Sequence, residues 1–262
     1  MVVELFGGIL PATAALKLSG ISAKTYFCEI ANDPLELASA HWPEATPLGD
    51  MQSLDLSWFD KVVADYPNSL IWLAGGAPCK DAQRPNADGP GVQGRFTGLH
   101  EKFRVIVEHL RDITENFCFT LECTRMHESD AKIFNAAFGT EPMEINNRGW
   151  APLSRPRWWW IGGKVPQWPA DTEFGSFNGV SRLRPVAQTM TAADCLLPGY
   201  VPCEKDSCFR CLTKRSKKLG PLNKPAGLEA ASEEAKFRWK QDHWSQAPCH
   251  YEDSNMVQDA QG

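Results

Sequence analysis

No run of about 18 consecutive apolar residues occurs anywhere in this 262-residue chain, so the sequence predicts no transmembrane helix. The opening MVVELFGGIL has no basic segment ahead of its apolar residues. That argues against a secretory signal and for a strand that begins almost at once. No internal repeat and no long low-complexity tract interrupt the chain. Nine cysteines without a secretory leader point to a reducing compartment rather than a disulfide scaffold. Cys203, Cys208 and Cys211, with Cys249-His250 later, lack the second well-spaced pair that a zinc site needs. They read as free thiols, and no metal is assigned. Excess positive charge is also lacking, since the formal net charge is −5. A whole-chain charge of that sign does not favour nucleic acid, but placement matters more than the sum. Basic residues cluster in three places: Arg148, Arg155, Arg157 and Lys164; Arg182 and Arg184; and Lys214, Arg215, Lys217 and Lys218.

What is present is an alternation of short apolar runs and amphipathic stretches. Strands are predicted at 2–6, 24–29, a short segment ending at Gly49-Asp50, 69–74 and 117–122. Helices are predicted at 12–18, 34–40 with Asp33 as cap, 57–65, 97–115 and 128–138. Such alternation predicts an α/β fold with a doubly wound, mostly parallel sheet. Further on, 141–147 and 157–162 read as two strands joined by a bend rich in arginine. Residues 163–230 read as a small irregular lobe, and 232–246 as a helix carrying Phe237, Trp239 and Trp244. The expected organisation is a main α/β domain over 1–165, a smaller lobe over 166–230 and a returning helical segment over 231–262.

In a parallel sheet of this kind, ligands sit beyond the C-terminal strand ends. The residues found there are Phe6, Glu29, Asp50, Cys79 and Glu122. Glu29 lies about 20 residues past the first glycine turn, a spacing that suits a ribose diol. That first turn, Phe6-Gly7-Gly8, lacks both the GxGxxG pattern and the P-loop lysine, so a nucleoside-type cofactor without phosphates fits better than a dinucleotide. Cys79 is either an exposed nucleophile at a strand end or a buried structural thiol. Glu122 is either a proton donor to a substrate or a solvated strand-end carboxylate. Arg155 and Arg157, two apart on a strand, face the same way and suit a phosphate or a base carbonyl. Trp158 to Trp160 read as packing for a strand covered on both sides.

Taken in order, these segments resemble the cytosine 5-methyltransferase family, most closely the de novo animal DNA methyltransferase type. ELFGGI is similar to its cofactor turn, and FCEIANDP to its strand-end acid segment. Gly49-Asp50 resembles the next cofactor motif, and GGAPCKD the Pro-Cys nucleophile motif. Gly94-Arg95-Phe96 resembles the end of its mobile loop, and SRPRWWWIG its Arg-x-Arg motif. LEC at 121–123 stands where the family has Glu-Asn-Val, and LTKRS and YEDSNM are similar to later segments.

The resemblance implies a Rossmann-like methyltransferase fold, S-adenosylmethionine as cofactor and double-stranded DNA as partner. Cys79 would be the nucleophile on a flipped cytosine, Glu122 would activate the base, and Arg155 and Arg157 would position it. Phe6, Gly8, Glu29, Asp50, Gly76 and Pro78 would line the cofactor pocket. The family's final cofactor motif is expected after YEDSNM, so the chain reads as truncated before it. A homo-oligomer, or a hetero-oligomer with another methyltransferase subunit, is a further expected association, and no membrane is a partner. The expected location is the nucleus of a eukaryote or otherwise the cytoplasm, not the exterior. Two alternatives stay open: methylation of transfer RNA, and an inactive module that binds DNA or a partner methyltransferase.

Overall fold

The computed structural model describes residues 1–78, 99–147, 153–165, 167–177 and 179–184, together with five two-residue strands further along the chain. It divides into two compact units. The first comprises Met1–Ile145, Arg157–Ala170 and Phe174–Arg182; the second comprises Asn146–Pro156, Asp171–Glu173 and Leu183–Gly262.

The strands of the main sheet are β1 (Val2–Leu5), β2 (Thr25–Cys28), β3 (Thr46–Gly49), β4 (Ile71–Gly75), β5 (Phe117–Cys123), β6 (Met143–Asn146), β8 (Pro156–Gly163), β9 (Glu173–Phe177) and β10 (Val180–Arg184). A two-residue strand, β7 (Leu153–Ser154), lies outside this sheet. The order is β3-β2-β1-β4-β5-β8-β6-β10-β9. The first five strands are parallel, and β8 runs antiparallel to β5. The described part of the second unit contains a parallel pairing of β7 with Phe209–Arg210 and two short antiparallel pairings.

Alternation along β5 explains how the sheet is covered. Phe117, Phe119, Leu121 and Cys123 are buried, while Cys118, Thr120 and Glu122 are half-buried. The first set joins one core with Leu73 of β4 and Trp158 and Trp160 of β8. Three helices cover that core: α3 (Ser57–Asp65), α4 (Leu99–Ile113) and α5 (Glu128–Phe138). The spacing of Phe103, Ile106, Val107 and Leu110 puts one continuous apolar stripe on α4, and all four are fully buried. Each such side chain contributes about 1.5–3 kcal/mol by burial. On the opposite face, α1 (Pro11–Leu18) packs Ala12 on Val2 and Ala74, and α2 (Asn32–His41) packs Ala38 on Phe27 and Leu10. Helices on both faces of a mainly parallel sheet make the fold doubly wound, as expected. Trp158 and Trp160 are packing residues, as their sequence context suggested.

Three local expectations are corrected. Asp33 does not cap α2. The helix begins at Asn32, and Asp33 lies inside the first turn, where its charge favours the helix dipole. The tryptophan strand carries Arg157 near one end and Lys164 just past the other, about 23 Å apart at the usual strand rise, so that basic cluster is split. Lys164 Nζ instead donates to Asn116 Oδ1 at the far edge of β5. Finally, 173–184 is not irregular: β9 and β10 extend the sheet, with Asn178-Gly179 between them.

Arg182 is also drawn away from any open basic surface. Glu144, 1% exposed on β6, accepts from Arg125 Nε at 2.6 Å and Nη2 at 2.8 Å, and from Arg182 Nε at 2.9 Å. Burial pushes this carboxyl up, but the two guanidiniums outweigh that and hold it below its ordinary 4.5. A depressed folded value gives stability that is present above pH 4.5 and lost as pH falls through the folded pKa. Glu144→Leu is expected to cost about 2 kcal/mol at neutral pH, below the 3–5 of a fully buried pair because both arginines keep some access to water. Urea melts of parent and variant at pH 7 and below pH 4 check this: the difference should shrink in acid.

Candidate active site

One row of the sheet organises the site. Backbone register aligns Gly49, Cys28, Leu5, Gly75 and Leu121 across β3, β2, β1, β4 and β5. One residue further along each strand stand Asp50, Glu29, Phe6, Gly76 and Glu122. Five candidates scattered over more than a hundred positions in sequence are thereby aligned in space, at the C-terminal ends of parallel strands.

The left part of this row is a turn held by a carboxylate. Phe6 has φ 59° and Gly8 has φ 54°, so the backbone after β1 passes twice through the left-handed region. Glycine carries this without strain at position 8, where a built Cβ also meets only open space. Glu29 fixes the turn. Its Oε2 accepts from Gly8 N–H at 3.0 Å, and its Oε1 accepts from Ile30 and Ala31 N–H at 2.8 Å each. The acid thus joins the ends of β1 and β2 and serves the amides that lead into α2, where no side chain caps the helix. Asp50 is exposed and accepts from Gln52 N–H at 2.9 Å, capping the 3₁₀ turn Met51–Ser53. Together with burial, its charge pushes the Cys28 thiol up to about 12, so Cys28 stays protonated and inert.

Sequence reasoning missed Glu4. It lies on β1 and is 2% exposed. Its carboxylate accepts from Ala12 N–H at 2.9 Å, Thr13 N–H at 2.8 Å and Thr13 Oγ1 at 2.6 Å. Burial pushes its carboxyl up and these donors oppose the shift. The N-terminus of α1, which binds phosphate in many dinucleotide folds, already holds an internal carboxyl group here. The only signal in the sequence was an acid inside the apolar run VVELF.

On the right of the row, Glu122 meets Arg157. Arg157 Nε lies 2.7 Å from Glu122 Oε1, with the two side chains 21% and 20% exposed. Trp159 pairs with Glu122 across the β5–β8 ladder, which makes Arg157 the diagonal neighbour on the same face. Gly76 closes the other side: a Cβ there would come within 3.0 Å of Glu122 Oε2. Any larger residue would crowd the carboxylate. Pro78 is exposed after Gly76-Ala77. Arg155 precedes β8 in the second unit, where its N–H donates to Asn146 Oδ1 at 3.0 Å. Cys79, Arg95, Arg148, Cys203, Cys208, Cys211 and the 232–246 segment lie outside the described residues.

No family model matches the chain, and no curated protein matches it in sequence. Solved structures do match. A mutant of DNMT2 from Spodoptera frugiperda superposes with TM-score 0.51 and 16% identity, over 72% of this chain and 56% of its own. The fold is that of a Rossmann-like methyltransferase. An E. coli prophage protein described as a DNA modification methyltransferase gives 0.47 and 15%, over 87% and 63%. S. pombe Dnmt2 gives 0.45 and 17%, over 65% and 52%. The chain therefore spans about half to three-fifths of the length of these structures. Within this methyltransferase fold, the row from Asp50 to Glu122 occupies the strand ends where α/β sheets bind their ligands.

Proposed function

We propose that the chain is an S-adenosylmethionine-dependent cytosine-5 methyltransferase of the animal de novo type, acting on double-stranded DNA. The observation that carries this reading is the Glu122–Arg157 pair beside Gly76, in one row with the Gly8–Glu29 turn. A carboxylate held by a guanidinium and a glycine is preorganised for a planar base bearing both donor and acceptor groups. The residues also suit the cofactor. Glu29 stands at the end of β2 for a ribose diol, there is open space beside Gly8, and Glu4 fills the N-terminus of α1 where a phosphate would sit. Phe6, Gly8, Glu29, Asp50, Gly76 and Pro78 would hold it. S-adenosylmethionine, when bound, supplies an electrophilic methyl group.

Cys79 follows Pro78 directly in sequence. Its thiolate would add to C6 of a cytosine extruded from the duplex, moving an electron pair to C5. Glu122 would hold N3 and the exocyclic amine while that charge develops, and Arg157 would keep the carboxylate in place. Arg155 would contact the base or its phosphate. After methyl transfer, the C5 proton leaves to a base and the Cys79–C6 bond breaks, restoring thiolate and aromatic ring. Methylation of transfer RNA, the second reading that the sequence left open, is the alternative to test.

The test is a covalent trap. The chain is incubated with S-adenosylmethionine and either a duplex or a transfer RNA carrying 5-fluorocytosine, whose fluorine blocks the final elimination. A denaturation-resistant adduct with the duplex supports the proposal. An adduct with the transfer RNA alone moves the assignment to RNA. No adduct with either, although DNA is retained on the protein, overturns catalysis in favour of a binding module.

A further inference from the structure

The N-terminal part of α4 packs against the ends of β4 and β5, two of the five strands whose ends form the candidate site. Phe103 packs so closely on Gly75, the last residue of β4, that an added Cβ would lie 2.7 Å from its Cε2. His100 reaches the end of β5: its Nε2 lies 4.0 Å from Cys123 Sγ, the outer range for hydrogen bonding to sulfur. Cys123 is fully buried and follows Glu122 directly. It also stands where the family resembled by this sequence carries asparagine.

The imidazole is 4% exposed and sits edge-on to Phe134, with ring centroids 4.9 Å apart. Its Nδ1 has no hydrogen-bond partner among the described residues. A buried polar nitrogen without a partner is destabilising, and a leucine would fill the same space without that cost. A bare lone pair is cheaper to bury than an unpaired N–H. The favoured tautomer therefore carries its proton on Nε2, directed at Cys123 Sγ. Burial lowers the imidazole pKa to about 4, so the ring is neutral at ordinary pH. A costly histidine, lodged between the helix start and the residue next to Glu122, calls for a compensating role.

We propose that His100 is a positioning residue for methyl transfer: by holding Cys123 it fixes the neighbouring Glu122 carboxylate against Arg157. The inference rests on the methyl-transfer reading above and names a residue that the reading did not use. His100 touches neither base nor cofactor in this scheme; it acts through the strand.

The experiment compares the full chain with His100→Leu, His100→Gln, Cys123→Ala and the double variant His100→Leu/Cys123→Ala. His100→Leu should melt at or above the parent temperature, because the orphan nitrogen is gone. Its kcat should fall about 10- to 100-fold, as expected for a misplaced reacting group, with KM for duplex and cofactor unchanged. His100→Gln, which keeps an N–H near the Nε2 position, should recover most of that loss. The double variant should be no slower than the slower single variant, since both remove one contact. Parent-like kcat in His100→Leu, a change in KM alone, or losses that multiply in the double variant would each overturn the proposal. Should the parent transfer no methyl group to any substrate, the methyl-transfer reading fails separately. The brace is then read by hydrogen exchange. His100→Leu should speed exchange of the Glu122 and Cys123 amides at unchanged melting temperature, and unchanged exchange sinks the positioning role.

Discussion

Cys79→Ala is expected to abolish methyl transfer, lowering kcat by at least about a thousandfold, because it removes the thiolate that forms and breaks the bond to C6. The fluorocytosine adduct should vanish with it. Binding should survive: dissociation constants for cofactor and duplex should stay within about threefold of the parent, since a thiol-to-methyl change removes little uniform binding. Cys79→Ser gives the sharper comparison. Its oxygen keeps the shape but is far less nucleophilic at neutral pH, so activity should stay near that of the alanine variant. Single-turnover transfer of labelled methyl groups, alongside equilibrium binding, separates the two quantities. A Cys79→Ala variant that still transfers methyl groups would remove the covalent mechanism, whatever the fold.

The second large effect concerns the Glu122–Arg157 pair. Glu122→Gln should reduce kcat by about 100- to 1000-fold, the range seen when one preorganised contact to developing charge is removed. Glutamine keeps the shape beside Gly76 but carries no charge for Arg157 and titrates no proton. Arg157→Lys should cost about tenfold or more, because an ammonium cannot reproduce the planar guanidinium contact. The two losses should not multiply in the double variant, since each breaks the same 2.7 Å contact. Fully multiplicative losses would mean that the two side chains act on the substrate independently.

The parallel half of the sheet was legible because its strands announce themselves locally. VVELF, SLIWLA and FCFTLE are short apolar runs that stop at a glycine or an acid, and those stops align along one edge of the sheet. The β9–β10 pair was harder. EFGSF and VSRLR carry few large apolar residues, and the stronger signal was the Asn178-Gly179 turn pair between them. Glu4 could not be read at all from a one-dimensional pattern. An acid inside an apolar run looks like an interruption until the helix start that it serves is folded against it. The basic residues that the structure describes were misleading for the opposite reason. Proximity in sequence is separation in space once a strand intervenes, as with Arg157 and Lys164, and Arg182 turned out to serve Glu144. Glu122 and Arg157 came together only through the antiparallel ladder between β5 and β8, a pairing that no local window reports.

The aligned row also acts as a ruler. Glu29 and Glu122 follow strands separated by three steps of the sheet, β2 to β1 to β4 to β5, or about 14 Å at the usual strand spacing. That interval comes in whole strands and cannot be tuned by side-chain rotation. Loops that feed the sheet can lengthen or shorten without altering it. A reaction needing a different reach between its two acids would need a different strand order.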